Sequence, residues 1–158
     1  MRKQILTVLA LICSGVTMIA SAADFTVNKL KYNIISPEAQ TVEAVENSSA
    51  SGAVTIPETV TYDGVTYTVV QIASQAFDNA TAMTSVSIPS TITTIGNKAF
   101  NGCTGLTSIS YNATDCSIMG SADATAFYGC ISVKTVSIGD AVRTTPAYAF
   151  KGLTALRS

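Results

Sequence analysis

The feature of this sequence that most restricts its fold is an Ala-Phe pair that occurs four times. Its phenylalanines are Phe77, Phe100, Phe127 and Phe150, so the pair returns at spacings of 23, 27 and 23 residues. An apolar residue stands six positions after each phenylalanine, and in the first three units others follow at nine and eleven positions. A fixed period in the low twenties is typical of a solenoid, in which each repeat adds one layer to a continuous core. We therefore expect the four phenylalanines to form a buried ladder along the stack.

Each repeat predicts one short strand, a turn, a second short extended piece and a single helical turn at the Ala-Phe pair. The strands are expected at 84–88, 107–111 and 134–138. A glycine stands two residues after three of the phenylalanines, where a tight turn tolerates positive φ: Gly102, Gly129 and Gly152. The middle unit holds four extra residues within 112–119. Insertions in solenoids form loops on one face, so we expect this loop to turn Asp115 and Cys116 outward.

Residues 24–71 predict a β-rich N-terminal cap that precedes the regular repeats of 72–158. Extended segments are expected at 25–27, 30–35 and 41–45, and 54–60 matches 86–92 nearly residue for residue as a degenerate first repeat. This repeat carries an insertion at 62–69, in which Asp63-Gly64 is flanked by β-forming residues and predicts a hairpin. Such a hairpin would cover the first open end of the core.

Residues 1–23 have the composition of a signal peptide. Arg2 and Lys3 precede an apolar run at 6–19, and small residues at 20–23 provide the cleavage site. We expect export, with no membrane span once this segment is removed. Without Arg2 and Lys3, seven basic and ten acidic residues remain, a formal net charge of about −3. Few, scattered basic residues do not favour a nucleic-acid partner.

Export also places the cysteines where disulfides form. Three cysteines remain after cleavage, and two of them, Cys103 and Cys130, stand three residues after their phenylalanines. Equivalent positions of a solenoid stack at roughly 4.8 Å, which is within disulfide range. A disulfide and a pair of buried thiols both fit this placement, and the odd number of cysteines favours the thiols.

The apolar frame of the repeats resembles the strand signature of leucine-rich repeats. The residues Met83-x-x-Val86-x-Ile88 give this frame, and Leu106 and Val133 begin equivalent ones. Ile-Pro after the strand, Ile-Gly before Ala-Phe and Gly-Cys after it are similar to the BspA-like class of these repeats. The resemblance covers about 54–158, although Thr144-Thr145-Pro146 departs from it. It implies a leucine-rich-repeat solenoid of a secreted or surface-displayed bacterial protein. It also implies an adhesin-like protein-interaction role, with host matrix or microbial surface proteins as partners.

The residues themselves provide no catalytic or metal site. The chain has no histidine, which removes Ser-His-Asp and Cys-His nucleophiles and imidazole ligands. The cysteines lack a C-x-x-C spacing, and the acidic residues are scattered through predicted turns. Asp115 and Asp123 could meet across the inserted loop and bind a calcium ion, but nothing there resembles a calcium loop. We expect no enzyme activity, no metal and no cofactor.

The remaining candidate is the outer face of the parallel sheet. If Val86 and Ile88 point inward, strand alternation turns small hydroxyl side chains outward. These candidate binding residues are Ser85, Ser87, Ser108, Ser110, Thr135 and Ser137. The alternative is a solvated face of a spacer segment, because the ladder lacks the Trp, Tyr and Arg anchors of interfaces. It is too short and too rich in serine to favour ice binding.

Two further patterns lead to expectations of a different kind. Residues 153–158 begin a repeat whose strand is not in the sequence, which predicts a truncated chain or an open end. An open end would be covered by a partner or by self-association with a second copy. Three motifs match the N-glycosylation acceptor pattern, at Asn47, Asn79 and Asn112.

Overall fold

The computed structural model describes residues 23–157, so the predicted signal peptide lies outside the described residues except for Ala23. This part of the chain forms eleven strands in two sheets. The seven-stranded sheet contains β1 (Phe25–Val27), β2 (Leu30–Ser36), β3 (Thr41–Val45), β5 (Thr59–Tyr62), β6 (Val65–Ile72), β8 (Thr94–Ile95) and β10 (Ile118–Met119). The four-stranded sheet contains β4 (Gly52–Thr55), β7 (Met83–Ile88), β9 (Ser108–Tyr111) and β11 (Thr135–Ile138).

The four-stranded sheet is parallel throughout, in the order β4, β7, β9, β11. Each strand comes from a successive repeat, so equivalent positions pair: Val86 pairs with Ile109, and Ile109 with Val136. On the other sheet β6, β8 and β10 form a second parallel ladder. The inward side chains of both sheets join one hydrophobic core. The predicted solenoid, with one parallel strand per repeat, is confirmed.

The predicted helical turns at the Ala-Phe pairs are wrong. No helix occurs within residues 23–157, and these segments form hydrogen-bonded turns instead. In the first repeat Asp78 N donates to Gln75 O at 3.0 Å, three residues back, whereas Phe77 N donates to Ala99 O of the next coil at 2.7 Å. Successive N–H groups donate in turn to a carbonyl of the same coil and to a carbonyl of the next coil. No N–H group of the turn is therefore left for the i→i−4 bonds of a helix.

The glycine positions of these turns have the predicted backbone conformation. Gly102, Gly129 and Gly152 have φ values of 64°, 74° and 94°. The equivalent residue of the first repeat is Asn79, with φ of 55°. A left-handed residue two positions after phenylalanine therefore closes each turn, and asparagine is the side chain that tolerates this conformation best after glycine.

The N-terminal part of the chain continues the seven-stranded sheet beyond the repeats. Strands β1, β2 and β3 form an antiparallel meander, and β3 then pairs in parallel with β6. The predicted hairpin is present as β5 and β6, with Asp63 and Gly64 both at positive φ. Tyr62 at its tip stacks on Phe25 of β1, with ring centroids 4.4 Å apart. The hairpin thus packs on the meander, and the two cover this end of the core together.

The phenylalanine ladder runs through the array as a stack of rings. Phe77, Phe100 and Phe127 are fully buried, with successive centroids 5.0 and 4.9 Å apart. Phe150 continues the stack 6.3 Å from Phe127 and is half-buried. Exposure also rises at β11, where the inward-facing Ile138 is 45% exposed. No strand of residues 23–157 pairs with the far side of β11. That a partner or a second copy covers this edge stays a prediction.

The inserted loop at 112–119 differs from its prediction at Cys116. Asp115 is exposed as expected, but Cys116 is buried. Its thiol donates to Ile118 O at 3.2 Å and lies beside the buried hydroxyl of Tyr111. Burial, together with this thiol, raises the pKa of Tyr111 well above its ordinary value. The loop therefore folds back and contributes to the core.

One of the three glycosylation motifs is closed off by the fold. Asn47 is 3% exposed, and its side-chain oxygen accepts a hydrogen bond from Lys31 N at 2.9 Å. The amides of Asn79 and Asn112 donate to Asp78 and to Ile88 O. Asn47 thus joins the cap to the first coil through its hydrogen bonds with Lys31 and Ala76. Its buried amide is not available for modification.

Candidate functional site

The six predicted binding residues form two rows across the four-stranded sheet. Ser85 pairs with Ser108, which pairs with Thr135, and Ser87, Ser110 and Ser137 form the second row in the same way. Ala53 and Thr55 of β4 extend the two rows by one strand. The rows are regular because each repeat contributes the same two outward positions, at a strand spacing of about 4.8 Å.

Five of these six residues line one shallow groove with a volume of about 270 Å³. They are Ser85, Ser87, Ser108, Ser110 and Ser137, and the lining is completed by residues 53–55 of β4, Val86 and Ile109. Thr135 lies on the same face but outside the groove. The four serines of β7 and β9 are half-buried, whereas Ser137 on the last strand is exposed. We call this feature the serine groove.

The chemistry of the serine groove is that of a neutral hydrogen-bonding surface. Each hydroxyl both donates and accepts, so the groove fits polar groups of either kind. Asn112, which the sequence analysis did not select, contributes an amide that donates to Ser110 Oγ at 3.3 Å and Ile88 O at 3.2 Å. It stands directly after β9, and only the fold shows that its side chain turns back onto the rows.

A second surface was missed by the sequence analysis. Tyr128 and Tyr148 are 55% and 48% exposed on the side of the Ala-Phe turns. The amine of Lys98 lies 5.2 Å from the Tyr128 ring centre, and that of Lys151 lies 5.4 Å from the Tyr148 ring centre. These are cation–π distances, and we call the four residues the tyrosine-lysine surface. The sequence could have indicated this surface through the positions of its residues. Lys98 and Tyr148 stand two residues before a ladder phenylalanine, and Tyr128 and Lys151 stand one residue after one.

The two equivalent cysteines are free and fully buried. The Cys103 thiol donates to Phe77 O at 3.1 Å, and the Cys130 thiol donates to Phe100 O at 3.0 Å, so each bonds to the preceding coil. The contact with Cys103 and burial raise the pKa of the Cys130 thiol above its ordinary value, whereas the same contact lowers the pKa of the Cys103 thiol. The raised pKa keeps the Cys130 thiol protonated at neutral pH, and full burial keeps reagents from reaching Cys103, so both thiols react slowly.

We therefore expect that folded protein of residues 24–158 will not be alkylated by iodoacetamide at pH 7.5, whereas the same segment unfolded will gain three adducts, one for each of its cysteines. Intact mass measured without reductant, before and after addition of urea, checks this. A Cys103–Cys130 disulfide would instead leave a single reactive thiol in urea until reductant is added. Cys103→Ser with Cys130→Ser provides the matched control, with Cys116 as the remaining thiol.

Two other kinds of feature are absent from residues 23–157. No three His, Cys, Asp or Glu side chains of this segment come together in a way that could hold a metal ion. The same segment contains no helix with the length and apolar composition needed to cross a bilayer.

Comparisons with known proteins agree with the repeat geometry. The model of the BspA type leucine-rich repeat region matches residues 70–158, with six copies. A leucine-rich repeat protein from T. pallidum is 23% identical over 84% of this chain and 68% of its own, with a TM-score of 0.51, which shows the shared fold. A leucine-rich repeat protein from Bacteroides ovatus is 26% identical over 84% of this chain and 46% of its own, with a TM-score of 0.49.

A leucine-rich cell surface protein from Faecalibacterium prausnitzii is 20% identical over 85% of this chain and 53% of its own, with a TM-score of 0.47. The chain thus spans about half the length of the B. ovatus and F. prausnitzii proteins. No curated protein sequence matches it. The family match covers more than half of the chain, on the repeats that build both sheets. The chain belongs to the BspA-type leucine-rich repeat family.

Proposed function

We propose that this chain is an adhesin-like interaction module of a secreted or surface-displayed protein, and that the serine groove contacts a protein partner. The observation that carries the proposal is the convergence of five outward serines in one groove on the parallel sheet. Leucine-rich repeats offer extended faces of this kind to protein partners. The signal peptide expected at 1–23 supports display outside the cell. Host matrix and microbial surface proteins are the proposed partner class, as the family resemblance implies.

The serine groove suits a partner that presents uncharged polar groups. Core packing is complete without the outward serines, because inward neighbours such as Val86 and Ile109 are buried. The hydroxyls repeat at the strand spacing, so a partner with its own regular backbone or amide groups can match them in register. The tyrosine-lysine surface is the rival contact site, since it carries the aromatic residues that dominate many interfaces. The two surfaces can therefore be tested separately.

The test is saturable binding of the exported chain to fibronectin, laminin and collagen coated in separate wells. Ser87→Lys with Ser110→Lys adds bulk and two charges to the groove, and we expect it to weaken binding at least tenfold. Tyr128→Ser with Tyr148→Ser is the matched double variant on the other surface and should change binding less than twofold. Circular dichroism checks that both variants keep the fold.

Each pattern of results supports or rejects a specific claim. Loss of binding in the tyrosine variant alone would move the interface to the tyrosine-lysine surface and overturn the groove assignment. Absence of saturable binding to every coated protein would favour the alternative, a spacer segment of a larger surface protein. The observation that favours this alternative is that the groove is uncharged and lacks the Trp, Tyr and Arg side chains that anchor interfaces.

A further inference from the structure

The four-stranded sheet has an unpaired edge at β4. Gly52 N and Ile56 N donate to Ala82 O and Ser87 O of the neighbouring coil at 2.9 and 3.0 Å. Because backbone groups alternate sides along a strand, those of Ala53 and Thr55 point away from β7. No strand within residues 23–157 pairs with that side. The edge therefore presents two N–H and two C=O groups to the surroundings.

A groove of about 470 Å³ lies beside this edge. Its walls are the tip of the β1–β2 hairpin, residues 28–30, and the loop at 49–51, while residues 53–55 of β4 form its floor. Four of its nine lining residues have small side chains: Ser49, Ala50, Ser51 and Ala53. Lys29 is its one charged lining residue, and the ion pair found within 23–157 joins Lys31 to Glu46 instead. The groove is thus polar, and Lys29 gives it a positive charge.

These features define the chemistry of an occupant. The free groups of Ala53 and Thr55 recur every two residues, about 6.6 Å apart, which is the repeat of an extended peptide backbone. Small lining side chains let such a backbone come within hydrogen-bonding distance. The Lys29 amine favours a carboxylate, and a short edge strand with a register shift at Gly52 resists indiscriminate pairing. A sugar or a lipid headgroup would match the charge but not the row of backbone groups.

We propose that the free edge of β4 binds an extended segment of a partner protein as an added strand, with an acidic side chain of that segment against Lys29. Such strand addition obtains affinity from main-chain hydrogen bonds and specificity from flanking side chains. The inference rests on the chain's proposed role as an interaction module, and it adds a contact that adjoins the serine groove and shares residues 53–55 with it.

The test uses a phage-displayed library of random linear 12-residue peptides selected on the wild-type chain. Enriched peptides are synthesised and titrated by fluorescence polarisation against wild type and variants. We expect enrichment of acidic, β-forming sequences. Ala53→Pro removes an outward N–H without removing a bond to β7, so it should weaken these peptides at least tenfold. Ala53→Ser is the matched control and should bind within twofold of wild type, while Lys29→Glu should weaken binding about fivefold.

Amide hydrogen exchange keeps the test decisive if Ala53→Pro fails to fold. Bound peptide should slow exchange at Ala53 and Thr55 of the wild-type chain. Enrichment of no peptide, equal binding to wild type and Lys29→Glu, or protection confined to other strands would overturn the proposal. Matrix-protein binding that Lys29→Glu leaves unchanged would reject strand addition for that partner and leave the serine groove standing, because Lys29 lies outside the serine groove. Peptide binding at β4 without any matrix-protein binding would support strand addition and reject the proposed binding of matrix proteins.

Discussion

Phe100→Ala is expected to lower the free energy of unfolding by about 3–5 kcal/mol, the largest loss of any single truncation considered for this array. Phe100 is fully buried and stacks between Phe77 and Phe127, with ring centroids 5.0 and 4.9 Å away. Alanine leaves a cavity between two rings that the backbone bonds between coils hold apart, so the site cannot collapse. Urea unfolding followed by circular dichroism measures the change.

Two variants calibrate that result. Ile131→Ala removes a side chain that is 60% exposed and should change stability by no more than about 0.5 kcal/mol. Phe150→Ala, at the half-buried end of the ladder, should cost less than half as much as Phe100→Ala. Equal losses at Phe100 and Phe150 would show that the ladder is not the source of the stability, because burial differs between the two positions.

Gly105→Ala is expected to produce the second largest effect, a loss of about 3 kcal/mol through overpacking. Gly105 is not in a left-handed conformation, so backbone strain is not the reason. A methyl group there would overlap the Thr81 carbonyl oxygen of the preceding coil and lie 3.1 Å from Met83 O. Because both contacts are backbone atoms, the coils themselves would have to move apart.

Gly64→Ala is the matched control for this prediction. Its methyl group would meet nothing within 4 Å, but Gly64 has φ of 78° at the hairpin tip. Only the cost of a left-handed alanine remains, about 1 kcal/mol. Thermal unfolding of the two variants in parallel separates close packing from conformational strain. A smaller loss at Gly105 than at Gly64 would contradict the tight approach of the coils.

Periodicity predicted the strands well because strand positions follow from which residues are apolar. The alternation around Val86 and its equivalents places one strand per repeat, and Asp63-Gly64 predicts the hairpin through the φ values that such turns require. The helical turns failed for a different reason. An Ala-Phe segment is compatible with a helix locally, but the neighbouring coil offers the carbonyl of Ala99 to Phe77 N, and no pattern within one repeat contains that competition.

The candidate surfaces, too, were predicted where they follow from the pattern within one repeat and missed where they depend on contacts that this pattern does not contain. Alternation along one strand was sufficient to select the outward serines, and stacking of equivalent positions then aligned them. The tyrosine-lysine surface includes a contact between unlike positions of neighbouring coils, Lys98 with Tyr128, which a repeat alignment does not bring together. Cys116 was placed outward for a related reason, since the path of an inserted loop is set by what it can pack against.

The alternating hydrogen bonds of the Ala-Phe turns also determine how this protein would respond to a pulling force. Backbone bonds join each coil to the next along the stack, so tension on the two ends would load the interfaces in series and detach coils one at a time, the weakest first. A coil of 23 residues that spans one strand spacing when folded would release roughly 75 Å of extended chain. Under flow or traction, such an array would lengthen in steps and dissipate work while the remaining coils kept their structure.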